Sequence, residues 1–158
     1  MSFHTSDQHF FHSNIIKYCN RPFKDINEMN YFMIEKWNEV IGVNDIIYHH
    51  GDFCFGGKNN VSSILSVLNG YKILIKGNHD KKGKKWFKDV GFDEVHKKPI
   101  NIGKYVLSHR PIENLESGII NIHGHIHNTD TNKLSYYNDY YINVSVEVTG
   151  YKPVWINI

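Results

Sequence analysis

The chain has 158 residues, of which 41% are hydrophobic and 14% aromatic, and its formal charge is +2. That length fits a single domain over residues 1–158 with a real core, and the near-neutral balance excludes a strong global field selecting an acidic partner. No apolar run reaches bilayer-spanning length, and Met1-Ser2-Phe3-His4 is not a signal peptide, so a cytoplasmic protein without a membrane partner is expected.

In chain order, a short strand over 1–6 leads into Asp7-Gln8-His9, and Ser13 to Cys19 reads as a helical turn capped by Ser13. Pro22 interrupts it at Asn20-Arg21-Pro22-Phe23. Asn27 reads as the N-cap of a helix with Met29, Met33, Trp37 and Val40 at helical spacing, ended by Gly42. Asp45 to His49 is a buried strand stopped by Gly51-Asp52. Val61, Ile64, Leu65 and Leu68 then mark an amphipathic helix closed near Gly70. A strand over Tyr71–Ile75 and a short helix over Lys84–Val90 follow.

The second half is mainly β. Strands are expected over Glu94–His96, Pro99–Ile102, Lys104–Ser108, Gly118–Ile122, Tyr140–Val144 and Val154–Ile158, with a hairpin at Asn101-Ile102-Gly103-Lys104. Alternating β and α followed by β predicts two packed sheets with helices outside, an α/β sandwich.

Polar residues collect at the strand ends: Asp7-x-His9, Gly51-Asp52, Gly77-Asn78-His79-Asp80, Ser108-His109 and Gly124-His125-Ile126-His127. Open α/β sheets gather their sites there. Polar groups crowded at a strand end are costly to desolvate unless a cation or phosphate satisfies them. Carboxylate, imidazole and amide donors suit Mn²⁺, Fe or Zn²⁺ better than a thiolate-preferring metal. His125 and His127, two apart, point to one side of an extended chain and could serve neighbouring metals. Cys19 and Cys54 have no metal-type spacing and read as reduced thiols.

These five blocks, in this order, resemble the calcineurin-like metallophosphoesterase superfamily. Asp7-Gln8-His9-Phe10-Phe11-His12-Ser13-Asn14-Ile15-Ile16, Asn20-Arg21-Pro22-Phe23, Gly51-Asp52-Phe53 and Asn143-Val144-Ser145-Val146 are similar to a group of small bacterial and phage phosphoesterases. The resemblance implies the metallophosphatase fold, a four-layer α/β/β/α sandwich of two mixed sheets flanked by helices. It implies two divalent metal ions, Mn²⁺ favoured over Fe, Zn²⁺ or Ni²⁺. One ion would take Asp7, His9, Asp52 and His127; the other would take Asp52, Asn78, His109 and His125. In such sites the ions lie about 3.5–4 Å apart around a hydroxide. His79 would then be the general acid, with Asp80 orienting its ring.

His12, Arg21 and Arg110 are further candidates for contact with substrate phosphate. His123 reads as a support to the ligands; His49, His50 and His96 read as structural, although an apolar residue is expected at position 50. Lys81, Lys82, Lys84, Lys85 and Lys88 form either a basic rim for a nucleic-acid backbone or a solvated helix face. Phe10, Phe11, Phe53 and Phe55 stack on a base or wall the core beneath the metals.

The implied activity is a phosphoesterase, and a phosphodiesterase acting on a nucleotide or nucleic-acid diester is favoured. Gly51-Asp52 is followed by Phe53-Cys54-Phe55-Gly56-Gly57, which departs from the Gly-Asp-x-x-Asp-Arg-Gly block of serine/threonine phosphatases. A phosphomonoesterase and a catalytically inactive metal-binding scaffold remain as alternatives. His125-x-His127 faintly matches the metallo-β-lactamase pattern, but Thr129 stands where its aspartate belongs and Asp130 comes one position late. An amidohydrolase barrel needs about 250 residues.

Overall fold

The computed structural model describes residues 2–129 and 139–158. Met1, expected to open the first strand, and Asp130 lie outside the described residues. The order is β1 (Ser2–Thr5), α1 (Ser13–Tyr18), α2 (Ile26–Val40), β2 (Ile46–His49), α3 (Lys58–Leu65), β3 (Tyr71–Ile75), α4 (Lys84–Val90) and β4 (Glu94–His96). Then come β5 (Ile100–Ile102), β6 (Tyr105–Leu107), β7 (Ile120–His123), β8 (Tyr141–Asn143), α5 (Val146–Thr149) and β9 (Val154–Ile156).

Two mixed sheets form, one of five strands in the order β4-β3-β2-β1-β9 and one of four in the order β5-β6-β7-β8. Strands β1 to β4 run parallel and β9 antiparallel to β1. In the second sheet β5 and β6 form the antiparallel hairpin, while β6, β7 and β8 are parallel. Successive side chains of a strand face opposite ways, and the core divides accordingly. Phe3, Ile47, Leu74 and Val95 pack with Met29, Met33 and Trp37 of α2, Val61 and Ile64 of α3, and Phe87 and Val90 of α4. Tyr48, Ile75 and Val154 face the other way, against Leu107, Ile122 and Val144. The molecule is an α/β sandwich of two mixed sheets flanked by helices.

Helix α2 starts at Asp25, not at Asn27: the Asp25 carboxylate accepts from Asn27 N and Glu28 N, both at 2.9 Å. Glu28 reaches back to Lys24 N at 2.7 Å, a reciprocal pairing close to a capping box. Ser13 makes no side-chain cap; α1 begins after His12 without one. The valine-rich Val146–Thr149 stretch is helical although β-branched residues favour strands. Gly150, left-handed at φ 68°, ends this turn.

Parallel pairing has one functional consequence. The C-terminal ends of β1, β2 and β3 lie side by side, and so do those of β6 and β7, so all five polar blocks emerge at one edge of the sandwich. Asp7 N donates to Gly51 O at 3.0 Å and His9 N to Asp52 O at 3.1 Å, joining the first two loops. Gly124 N donates to His109 O at 2.9 Å, joining the last two.

Candidate metal centre

Five of the seven expected ligands have left-handed backbones: Asp7 (φ 62°), His9 (53°), Asp52 (57°), His125 (71°) and His127 (49°). Non-glycine residues seldom adopt this region, and its concentration in one site marks a geometry held against local preference. His125 and His127 are therefore not on an extended chain, and the alternation argument for them fails. They nevertheless reach neighbouring sites, because each loop residue reverses the chain separately.

Two clusters of donor atoms result, Asp7 with His9 and His127, and Asp52 with His109 and His125, each set lying within 4.8 Å of one another. Asp52 joins them. Its Oδ2 lies 3.8 Å from His9 Nε2, 3.4 Å from His109 Nε2 and 3.9 Å from His79 Nε2. Asn78 Oδ1 is 2.9 Å from His109 Nε2 and so joins the second cluster. His9 Nε2 and His127 Nε2 lie 3.8 and 3.9 Å from Asp7 Oδ1.

The donor set fits divalent cations. Asp7 Oδ1 and His9 Nε2 are buried with no hydrogen-bond partner among the described residues. Such orphaned groups are costly unless something fills the gap between them, and here the gap is lined by hard oxygen and imidazole donors. Burial and the neighbouring charges set the protonation of these groups. Burial drives Asp7 above the ordinary carboxylate range, against the pull of His109 and His127. Burial also pushes His9 down to about 2, with Asp52 only partly offsetting it. For Asp52 burial acts upward, but the hydrogen bond and charge of His109 prevail and hold it low. Burial and the charges of His109 and Arg110 take His125 down to about 4.

A supporting layer fixes these ligands. His109 Nδ1 donates to His50 O at 2.7 Å, turning Nε2 towards Asp52. His50 Nδ1 donates to Ser108 O at 3.0 Å, so its Nε2 accepts from His4 Nδ1 at 2.9 Å, and His4 Nε2 accepts from Ser2 Oγ at 3.0 Å. That chain explains a histidine at position 50, where an apolar residue was expected. His49 is likewise structural, held by Gln8 Oε1 at 2.5 Å and by Gly51 N at 3.0 Å. His96 pairs with Glu94 at 3.3 Å on the surface, and His123 Nδ1 binds Gly124 O at 2.9 Å.

Two glycines permit the close approach of the loops. A Cβ on Gly77 would sit 2.2 Å from Asp52 Oδ1, and one on Gly124 2.3 Å from Asp7 Oδ2. Asp7 Oδ2 itself accepts from His125 N at 2.8 Å and Ser145 Oγ at 3.0 Å.

The expected role of Asp80 is corrected. Its carboxylate does not orient the His79 ring; it accepts from Asp52 N and Gly77 N, both at 2.8 Å, and from Phe53 N at 3.3 Å. It clamps the Asp52 loop to the Asn78 loop. His79 is the exposed member of the group, its side chain 44% accessible beside buried Asp52.

Arg21 is corrected too. Its guanidinium is fully buried and donates to Asp7 O and Gln8 O, both at 2.7 Å, and to Glu147 Oε1 from Nη2 at 2.6 Å. It has no free fork for a phosphate. The same Glu147 oxygen lies 3.0 Å from His127 Nδ1. Burial lowers His127, but contacts with Cys19 and Glu147 outweigh it and raise it to about 10. Glu147 thus aims the His127 Nε2 at Asp7, and it was missed in the sequence. The available signal was an acid set among valines in Val144-Ser145-Val146-Glu147-Val148.

Arg110 is exposed on the rim, with Nη2 3.4 Å from Asn78 Oδ1. His12 stacks on Phe55 at 3.9 Å beside His9. Phe10 and Phe53 are core, packed edge to face beneath the site. Lys84, Lys85 and Lys88 are an exposed helix face, with Lys85 paired to Asp89 at 2.8 Å. Cys19 and Cys54 are free thiols. No described helix is long and apolar enough to cross a membrane.

Comparison with known proteins shows the family. The uncharacterized protein MJ1445 of Methanocaldococcus jannaschii is 41% identical over 162 residues, covering 97% of this chain and 85% of that one. The solved structure of AQ665, a protein of unknown function from Aquifex aeolicus, superposes with a TM-score of 0.74 at 30% identity. That alignment covers 98% of this chain and 94% of AQ665. Pseudomonas putida nuclease MPE shares the fold at 16% identity, with a TM-score of 0.53 over 78% of this chain and 60% of the nuclease. The profile that describes calcineurin-like phosphoesterases matches residues 3–157, from the first strand through both ligand clusters to the last, and the chain belongs to that family.

Proposed function

We propose that this phosphoesterase is a binuclear phosphodiesterase whose substrate is a nucleotide or nucleic-acid diester. The observation carrying this reading is the meeting of two donor clusters at Asp52, with exposed His79 3.9 Å from the shared oxygen. Asp7, His9, Asp52 and His127 would hold one ion, and Asp52, Asn78, His109 and His125 the other, Mn²⁺ being the favoured occupant. When bound, such a pair supplies Lewis-acid chemistry, acidifying water and neutralising phosphoryl charge.

The protein's own groups do the rest. Asp80 and Glu147 keep Asp52 and His127 in register. His79 places a proton at the leaving oxygen. Water's oxygen makes the new P–O bond and gives up one proton to solvent, the bond to the leaving oxygen breaks, and that oxygen departs with the His79 proton, which solvent then restores. A diester brings one charge and a leaving alkoxide that needs this proton.

Hydrolysis of bis-aryl and mono-aryl phosphates by protein loaded with Mn²⁺, Ni²⁺ or Zn²⁺ tests the reading. Diester turnover is expected to dominate. His79→Ala, with metal content unchanged, should lose about 10²–10⁴-fold, and more with an alkoxide leaving group than with nitrophenolate. Preference for monoesters overturns the diester assignment. An unaffected His79→Ala overturns the general acid.

A further inference from the structure

A cavity of about 370 Å³ opens directly beside Asn78 and His109. Three segments wall it: the end of β3, the turn between β4 and β5, and the loop after β6. Its apolar lining comes from buried Ile75 with half-buried Pro111 and Ile112, and its rim carries exposed Lys97, Lys98, Pro99 and Arg110. None of its described lining residues is acidic. The volume falls in the range of small-molecule sites, which pair apolar walls with a few placed polar groups.

Cations of one sign around an apolar lining match one kind of ligand, a sugar or base bearing a phosphate. The cavity is separate from the reaction's other flank. His79 borders a smaller cavity of about 150 Å³, lined by Phe55, Trp86, Lys81 and Lys82, that shares none of its lining residues with the first. If His79 protonates the leaving oxygen, the leaving group lies on the Phe55–Trp86 side. The retained nucleoside then lies on the Lys97–Lys98 side.

We propose that the cavity over Asn78 and His109 binds the nucleotide retained after cleavage, with Lys97, Lys98 and Arg110 receiving its second, non-reacting phosphate. This deepens the phosphodiesterase reading and rests on it. It makes the substrate an oligonucleotide or a phosphorylated nucleic-acid end in preference to a cyclic mononucleotide.

The probes are thymidine 5′-(p-nitrophenyl phosphate) with and without a 3′-phosphate. The 3′-phosphate should raise kcat/KM about tenfold through KM, equivalent to ~1.4 kcal/mol, and the advantage should shrink as salt rises. In the Lys97→Ala/Lys98→Ala double variant the advantage should vanish. A charge-matched control, Lys36→Ala/Lys152→Ala, outside the cavity lining, should retain it. Equal kcat/KM for the two esters in the unaltered protein overturns the proposal. So does an advantage that survives the double substitution.

A binding measurement separates this from the underlying reading. Calorimetric titration with thymidine 3′,5′-bisphosphate should weaken about tenfold in the Lys97→Ala/Lys98→Ala protein. Unchanged affinity overturns the subsite whatever ester is cleaved. Weakened affinity without turnover of any diester upholds the phosphate site and overturns the phosphodiesterase reading alone.

Discussion

Replacing Glu147 with alanine removes the one carboxylate that, among the described residues, pairs with the fully buried Arg21 guanidinium. Breaking a buried ion pair from one side costs about 3–5 kcal/mol, because the remaining charge is left uncompensated. Here the lower end applies, since Arg21 keeps its bonds to Asp7 O and Gln8 O, both at 2.7 Å. In a chain of this size each kcal/mol moves Tm by about 2–4 °C, so Glu147→Ala should lower Tm by roughly 6–12 °C. Glu147→Gln keeps an acceptor for Arg21 and should fall between the two. Glu147→Ala also frees the His127 ring, whose Nδ1 lies 3.0 Å from the same carboxylate oxygen. Loss of such an outer partner typically weakens metal affinity about 10–100-fold. Calorimetric unfolding without metal and Mn²⁺ titration at pH 7.5 measure the two effects. A Tm shift under about 2 °C, less than ~1 kcal/mol, or an unchanged affinity refutes the claim that this acid holds both Arg21 and His127.

Two other perturbations have defined outcomes. Gly77→Ala places a methyl 2.2 Å from Asp52 Oδ1; metal affinity, read by calorimetric titration, should fall about tenfold or more while secondary structure, read by circular dichroism, persists. Burial, with the His50 charge adding to it, pushes His4 down to about 2, and burial pushes His50 to about 3. Both stay neutral in the fold while the unfolded chain takes up protons below about pH 6.5, so stability is lost as pH falls from there towards 3, by ~1.4 kcal/mol per pH unit for each. His4→Phe should flatten the dependence of unfolding free energy on pH by one such increment; an unaltered slope refutes the assignment.

Most of the architecture was legible because it rests on periodicity. Met29, Met33 and Trp37 sit four apart on α2, and the β3 and α4 boundaries at Tyr71–Ile75 and Lys84–Val90 agree with the expectation. The donor clusters were legible because polar residues directly after apolar strands are anomalous in composition. Three things were not legible. Asp80 follows His79 in sequence, which suggested contact, but its loop turns the carboxylate inward to three backbone N–H groups. Arg21 follows a turn that reads as surface, yet Glu147, 126 positions later, draws it inside. A partner at that separation has no local signature. The backbone hand at His9, His125 and His127 has none either, since the residue type does not say which individual histidine the fold turns left-handed.

That backbone hand leads to a prediction of opposite signs for stability and function. A non-glycine residue in a sparsely populated backbone region costs of order 1–3 kcal/mol and persists only where its surroundings over-determine it. His125, at φ 71°, is half-buried, and its ring meets His109 edge-on at 4.9 Å. Its backbone N–H, not its ring, holds Asp7 Oδ2 at 2.8 Å. His125→Gly therefore keeps the Asp7 contact, relieves the left-handed residue and removes a single imidazole. Without metal, its Tm should equal or exceed that of the unaltered protein, by up to about 2–4 °C for each kcal/mol relieved. With saturating Mn²⁺ the order should reverse, because stabilisation by a bound ion grows as RT ln(1 + [L]/Kd) and the second cluster has lost a donor. Parallel thermal scans with and without Mn²⁺ decide it. A metal-free variant less stable by more than ~1 kcal/mol would mean that the His125 ring is chiefly a packing element, and that strain at this edge is not held in reserve for the ions.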